Sequence, residues 1–125
     1  MMDEEVRDLL QRTVKDLVTL EIALFFHAHP DYMDSREGLC LRLACEPPGV
    51  EKALDGLAQE GILELFELGE GRYKVYSYTR NRDKRTTIQR LDFYYHDDPN
   101  TRAEIVRHLI ANSIQPSEIP VESGK

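Results

Sequence analysis

Few side chains in this sequence are of types that do chemistry, and their spacing limits what they can do. His27 and His29 stand two residues apart, and His96 is followed by Asp97 and Asp98. Zinc takes His, Cys and carboxylate ligands. Residues i and i+2 of a helix, however, point to different sides, and no CxxC or HxxxH spacing accompanies these histidines. No metal site is expected. Cys40 and Cys45 lie five residues apart in a segment that reads as a helix followed by a turn. They fit small apolar core positions, and they read as free thiols of a reducing compartment rather than a disulfide framework. Gly69-Glu70-Gly71 lacks the lysine and the following helix start that a phosphate loop needs. No Ser, Cys or Lys stands in a recognisable nucleophile context. The sequence therefore points to no catalytic residue and no cofactor, and the chain is not expected to be an enzyme.

What remains is charge. The chain of 125 residues has 16 basic and 23 acidic residues and a net charge of −7, whereas a nucleic-acid binder shows a basic surplus or a concentrated basic patch. One local patch exists. From Arg80 to Arg90, Arg80, Arg82, Lys84, Arg85 and Arg90 stand against Asp83 alone, a net +4. These cations could contact phosphates or hold an acidic surface of a partner. The plainer account is that they offset nearby acids, because exposed ion pairs contribute only ~0–1 kcal/mol and need no special function.

The elements that position these residues follow from periodicity and caps. Val6, Leu9, Leu10, Val14 and Leu17 share one helical face over Asp3 to Leu17, with acids in the first turn to complement the helix dipole. A second helical stretch runs from Thr19 to His29 and stops at Pro30; the two stretches read either as one bent helix or as two helices, with the β-branched Val18-Thr19 pair as the break. Asp34 with Glu37 matches a capping box for a short helix, Ser35 to Ala44, with Leu39, Cys40 and Leu43 inward. With Glu46 as cap and Pro47 at the first helical position, Cys45 and Val50 form a hydrophobic staple. The helix that follows runs to Glu60 with Val50, Ala53, Leu54 and Leu57 inward, and Gly61 stops it. Two strand-like runs, Ile62 to Leu68 and Arg72 to Thr79, surround the Gly69-Glu70-Gly71 loop as a β-hairpin. The polar stretch from Asn81 to Lys84 reads as a connector. Arg85 to Tyr95 resumes helical spacing, and Thr101 with Glu104 caps a last helix with Val106, Leu109 and Ile110 as its stripe. The tail from Gln115 reads as disordered.

The middle of this order carries a resemblance. Gly38-Leu39-Cys40-Leu41-Arg42-Leu43-Ala44-Cys45-Glu46-Pro47-Pro48-Gly49-Val50 is similar to a helix-turn-helix core. Ala53-Leu54-Asp55-Gly56-Leu57-Ala58-Gln59-Glu60-Gly61-Ile62-Leu63 looks like a recognition helix running into a wing. Over about Leu20 to Thr79 the chain resembles the winged-helix regulators of bacteria and archaea, the broad class of the MarR-, ArsR- and PadR-like groups. The expected fold is α+β but mainly α. It is a winged helix-turn-helix with a two-stranded wing and extra N- and C-terminal helices, one domain over residues 1–114.

The resemblance implies a dimeric DNA-binding transcriptional regulator, in which the recognition helix enters the major groove. Charge opposes that reading. From Glu46 to Glu60, four carboxylates stand against Lys52, a net −3, and from Glu64 to Arg72 three glutamates stand against Arg72, a net −2. Phosphate attraction dominates affinity for duplex DNA, so DNA is a partner electrostatically disfavoured on that helix. The alternative is a winged-helix module that docks on another protein. Either contact would use Glu51, Lys52, Asp55, Gln59, Arg72, Arg80, Arg82, Lys84 and Arg85. The two readings separate by placement: shared faces for the Arg80–Arg90 cations and the recognition helix favour DNA, and opposite faces favour a protein.

Phe93-Tyr94-Tyr95 with Tyr73, Tyr76 and Tyr78 could line a ligand pocket, but such residues more often pack a hairpin against a helix. The flanking helices, Asp3 to Leu17 and Thr101 to Asn112, carry apolar stripes beyond what a small core needs, and a homodimer through them is expected. No run of 18 apolar residues is present to span a membrane. The Met-Met-Asp-Glu-Glu start lacks the features of a secretory signal, so a cytoplasmic protein is expected.

Overall fold

Asp16 divides the N-terminal helical region. In the computed structural model, which describes residues 2–113, its carboxylate accepts from the Thr19 backbone N–H at 2.8 Å and from the Thr19 hydroxyl at 2.7 Å. Such a cap satisfies an orphan donor and starts a helix. α1 therefore covers Glu4–Arg12 and α2 covers Leu17–Ala28. The break expected at Val18-Thr19 lies earlier, because the cap outweighs the mild helix penalty of β-branched residues. As a result Leu17, expected on the buried stripe of the first helix, is 47% exposed.

A short strand follows, β1 at Met33–Ser35, which the sequence reading did not contain. Ser35, not Asp34, caps the next helix: its hydroxyl accepts from the Gly38 N–H at 3.2 Å. Asp34 instead accepts from the Ser35 N–H and from the Tyr32 hydroxyl. α3 covers Arg36–Leu43 and ends at Ala44, whose φ of 54° and ψ of 42° are left-handed. α4 covers Pro47–Gln59, with Glu46 at the cap position and proline opening the helix. The two prolines have no N–H to satisfy, and Glu46 makes no side-chain cap bond.

β2 at Leu63–Leu68 and β3 at Tyr73–Tyr78 form the expected hairpin. Gly69, Glu70 and Gly71 all have positive φ, a turn that two glycines make accessible. The sheet is antiparallel in the order β1-β3-β2, with Leu63 opposite Tyr78, Leu68 opposite Tyr73, and Met33 opposite Ser77. The wing hairpin thus gains a third strand at its root.

α5 covers Arg82–Asp97 and α6 covers Pro99–Ser113. Asn81 caps α5 by accepting from the Lys84 N–H at 3.0 Å, so the supposed connector is a cap and a first turn. α6 is capped by Asp98 rather than Thr101. The Asp98 carboxylate accepts from the Thr101 N–H at 3.3 Å and its hydroxyl at 3.0 Å, which lets Thr101 be buried.

The core joins Leu20, Ile22 and Phe26 of α2 to Leu39 of α3, Val50, Leu54 and Leu57 of α4, and Tyr76 and Tyr78 of the sheet. Each such side chain contributes roughly 1.5–3 kcal/mol by leaving water. The stripe of α1, Val6, Leu9 and Leu10, is also buried, and α1 packs on α5. It is consumed within the chain and is not spare surface, contrary to the expectation for the N-terminal flanking helix. No helix among the described residues is long and apolar enough to cross a membrane. The tail expected from Gln115 lies outside the described residues.

Candidate nucleic-acid or partner interface

α4 is built to show one face. Its core residues Val50, Ala53, Leu54 and Leu57 are buried, which leaves Glu51, Lys52, Asp55 and Gln59 exposed. Two grooves flank that face. On one side Glu51 and Asp55 look across to the wing tip, and the groove is completed by Arg36, Glu37, Arg72 and Lys74. On the other side Lys52, Asp55 and Gln59 face the α1–α2 linker, where Lys15 and Asp16 stand. The helix taken alone is acidic. The groove toward the wing is balanced, with Arg36, Arg72 and Lys74 against Glu37, Glu51 and Asp55.

Arg36 and Lys74 were missed in the sequence. Arg36 precedes the apolar pattern of α3, and Lys74 is hidden within a strand pattern, so neither stands in a charge run. Arg36 is engaged: its guanidinium meets Glu51 at 2.8 Å and Glu37 at 3.5 Å. At the tip, the Arg72 Nε donates to the Gly69 carbonyl at 3.2 Å, and Tyr73 is 67% exposed.

The cations from Arg80 to Arg90 lie elsewhere. None of them lines the groove between α4 and the wing. The sheet register puts Arg80 beyond the root of the hairpin and Arg72 at its tip, with the whole six-pair ladder between them; that ladder alone spans on the order of 17 Å at ~3.4 Å per residue. Arg80 pairs with Glu64 at 3.2 Å. Its backbone N–H at 2.9 Å is the main cause, ahead of the guanidinium, that holds the Glu64 carboxyl below the usual carboxylate range. Lys84 lies over Gly61 beside Glu60, at the C-terminal end of α4. Arg85 donates to the Thr79 carbonyl at 2.6 Å and sits 4.9 Å over the Tyr78 ring. Arg90 meets Glu5 at 2.9 Å and Asp3 at 3.4 Å. Among the described residues Arg82 alone in this run has no acid or ring against its guanidinium.

The histidines meet neighbours within the fold. His27 Nδ1 lies 3.2 Å from the Tyr78 hydroxyl, His96 pairs with Asp92 at 2.9 Å, and His29 stacks against Phe25. No three His, Cys, Asp or Glu side chains among the described residues gather as a metal site would require. The aromatics do not form one pocket. Tyr76 and Tyr78 are buried in the core, and Tyr73 and Phe93 are exposed. The cysteines, expected in the core, are both only half-buried.

A two-substitution variant of ZitR from Lactococcus lactis, in its apo form, has the same arrangement. The TM-score is 0.51 at 15% identity, over 85% of this chain and 74% of that one. A second structure of that variant gives 0.52 at 15% identity, over 85% and 66%. The fold is the winged helix. At this identity the likeness speaks for architecture: α3 and α4 are the helix-turn-helix, β2 and β3 the wing, and α1, α5 and α6 the flanking helices. No family model and no curated protein sequence matches the chain.

Proposed function

We propose that this chain is a transcriptional regulator that meets duplex DNA through α4 and the wing of its winged helix. The observation that carries the reading is the architecture, shared with ZitR and with the regulators the sequence resembles. The charge-balanced groove between α4 and the wing supports it. In this reading Arg72 and Lys74 at the wing end of the groove reach backbone phosphates, while Lys52 and Gln59 flank the recognition face. Glu51 and Asp55 would lie near the bases, where a carboxylate accepts from cytosine N4. Positioning such a helix requires phosphate contacts beside it, and the wing tip supplies them. In this reading the protein works in the cytoplasm as a homodimer, with the pairing surface on α6.

A second reading is favoured by one observation. The arginines of the Arg80 to Arg90 run, Arg82 apart, turn to Glu64, Glu5, Asp3 and the Tyr78 ring, so the one basic run of the sequence adds nothing to the groove between α4 and the wing. A partner protein with a mixed or basic surface fits that face at lower electrostatic cost than a duplex does.

Fluorescence anisotropy of a labelled mixed-sequence duplex, stepped from roughly 50 to 200 mM salt, separates the two, because phosphate contacts make affinity fall steeply with salt. The expected result is salt-sensitive binding that is lost with Arg72→Ala plus Lys74→Ala. The charge removals Arg80→Ala and Arg85→Ala should weaken it less. Absence of binding at the lowest salt would narrow the DNA reading to a strictly sequence-specific reader and favour the partner surface.

A further inference from the structure

We propose that Cys40 and Cys45 form a dithiol site that closes reversibly into a disulfide across the turn between α3 and α4, by exchange with a low-molecular-weight disulfide. The geometry begins with Ala44. Its left-handed backbone turns the chain so that the Cys45 N–H bonds back to the Cys40 carbonyl at 3.3 Å. This is the six-to-one closure of a helix C-terminus, in which the two end residues usually make an apolar side-chain contact. Here both end residues are cysteines.

A disulfide needs Cα atoms roughly 4.4–6.8 Å apart. A backbone hydrogen bond joining the same two residues holds their Cα atoms within about 7 Å at the outside, from standard bond lengths. The Cys45 Sγ lies 3.4 Å from the Leu43 carbonyl, so its side chain folds back over the end of α3. Burial first, then Glu21, then Cys40 itself raise the pKa of Cys45. Both residues are half-buried, free and at the edge of the core, where a small reagent can reach them.

The chemistry balances with oxidised glutathione as the reagent. One cysteine thiolate attacks a glutathione sulfur, forming a protein–glutathione mixed disulfide and releasing one glutathione thiolate. The second cysteine gives its proton to solvent, attacks the Sγ of the first cysteine and expels the second glutathione thiolate. Two protein thiols are oxidised to one disulfide, and one glutathione disulfide is reduced to two glutathiones. Reduced glutathione reverses both steps. The product ties the end of α3 to the residue before the Glu46 cap of α4, so it fixes the angle at which α4 leaves the turn.

The test uses the full chain, incubated with oxidised glutathione under native conditions, quenched with iodoacetamide and weighed intact. The expected product is about 2 Da lighter than the reduced protein, takes up no alkyl group, and returns to two alkylatable thiols with excess reduced glutathione. Cys40→Ser and Cys45→Ser should each stop at the mixed disulfide, about 305 Da heavier. Circular dichroism of each variant checks that it is folded. Three results would overturn the proposal: two alkylatable thiols persisting in the wild type, stable double glutathionylation, or closure seen only in denaturant. None of these readouts depends on DNA binding.

Discussion

Tyr78 shows how much a single side chain here is governed by its surroundings. Its ring is buried between the sheet and α2, its hydroxyl lies 3.2 Å from His27 Nδ1, and Arg85 covers one face. Burial pushes its pKa up to about 12, with Arg85 pulling the other way. A phenol whose pKa is higher folded than unfolded stabilises the fold fully below about pH 10, and that contribution is lost as the pH rises toward 12. Absorbance near 295 nm should therefore show one of the six tyrosines ionising last, near pH 12, together with alkaline unfolding. Tyr78→Phe should remove that last step, and an unchanged titration would sink the assignment. Tyr78 was visible in the sequence only as part of an aromatic pattern. Its partner His27 lies 51 residues away, a distance that no local spacing encodes. The same holds for the candidate site. The charge run from Arg80 to Arg90 was legible, but the acid each cation meets is set by folding, as Arg90 and Glu5 show across 85 residues.

At the scale of elements, the turn between α3 and α4 sets the recognition helix, and Ala44 holds it in a conformation that Cβ atoms disfavour. Ala44→Gly should raise stability by up to about 1 kcal/mol, the relief of the left-handed backbone exceeding the extra freedom gained by the unfolded chain. Urea denaturation with an unchanged m-value would register this as a higher midpoint. A lower midpoint would show that the turn is unstrained. The helices α3, α4 and α5 and the hairpin were legible because buried faces repeat and glycine or proline marks their ends. Three boundaries were not. Two carboxylates, Asp16 and Asp98, cap from one turn outside the expected starts, where several polar residues compete for the role. Asn81 opens a helix whose first turn is exposed and so shows no apolar period. β1 is three residues long, too short to display alternation, and it exists only because β3 offers an edge.

For the whole molecule, the apolar surface left after folding is the guide to association. The stripe of α1 is spent on α5, so the pairing surface proposed for a homodimer narrows to α6 and the start of α2. There Leu17 and Ile110 are about half exposed beside Tyr95, Val106 and Leu109. Light scattering at micromolar concentration should give twice the chain mass, falling to one chain mass with Ile110→Glu. A wild-type monomer would remove the dimer from the proposed function. The packing of α1 on α5 also bears on how the chain comes to be folded. Val6, Leu9 and Leu10 lie on the helix that packs against α5, and Asp3 and Glu5 meet Arg90, more than eighty residues downstream. Contacts of such sequence separation form late, because the intervening chain must first be closed into a loop. During synthesis α1 therefore keeps its apolar side in water until α5, some eighty residues further along, has been added.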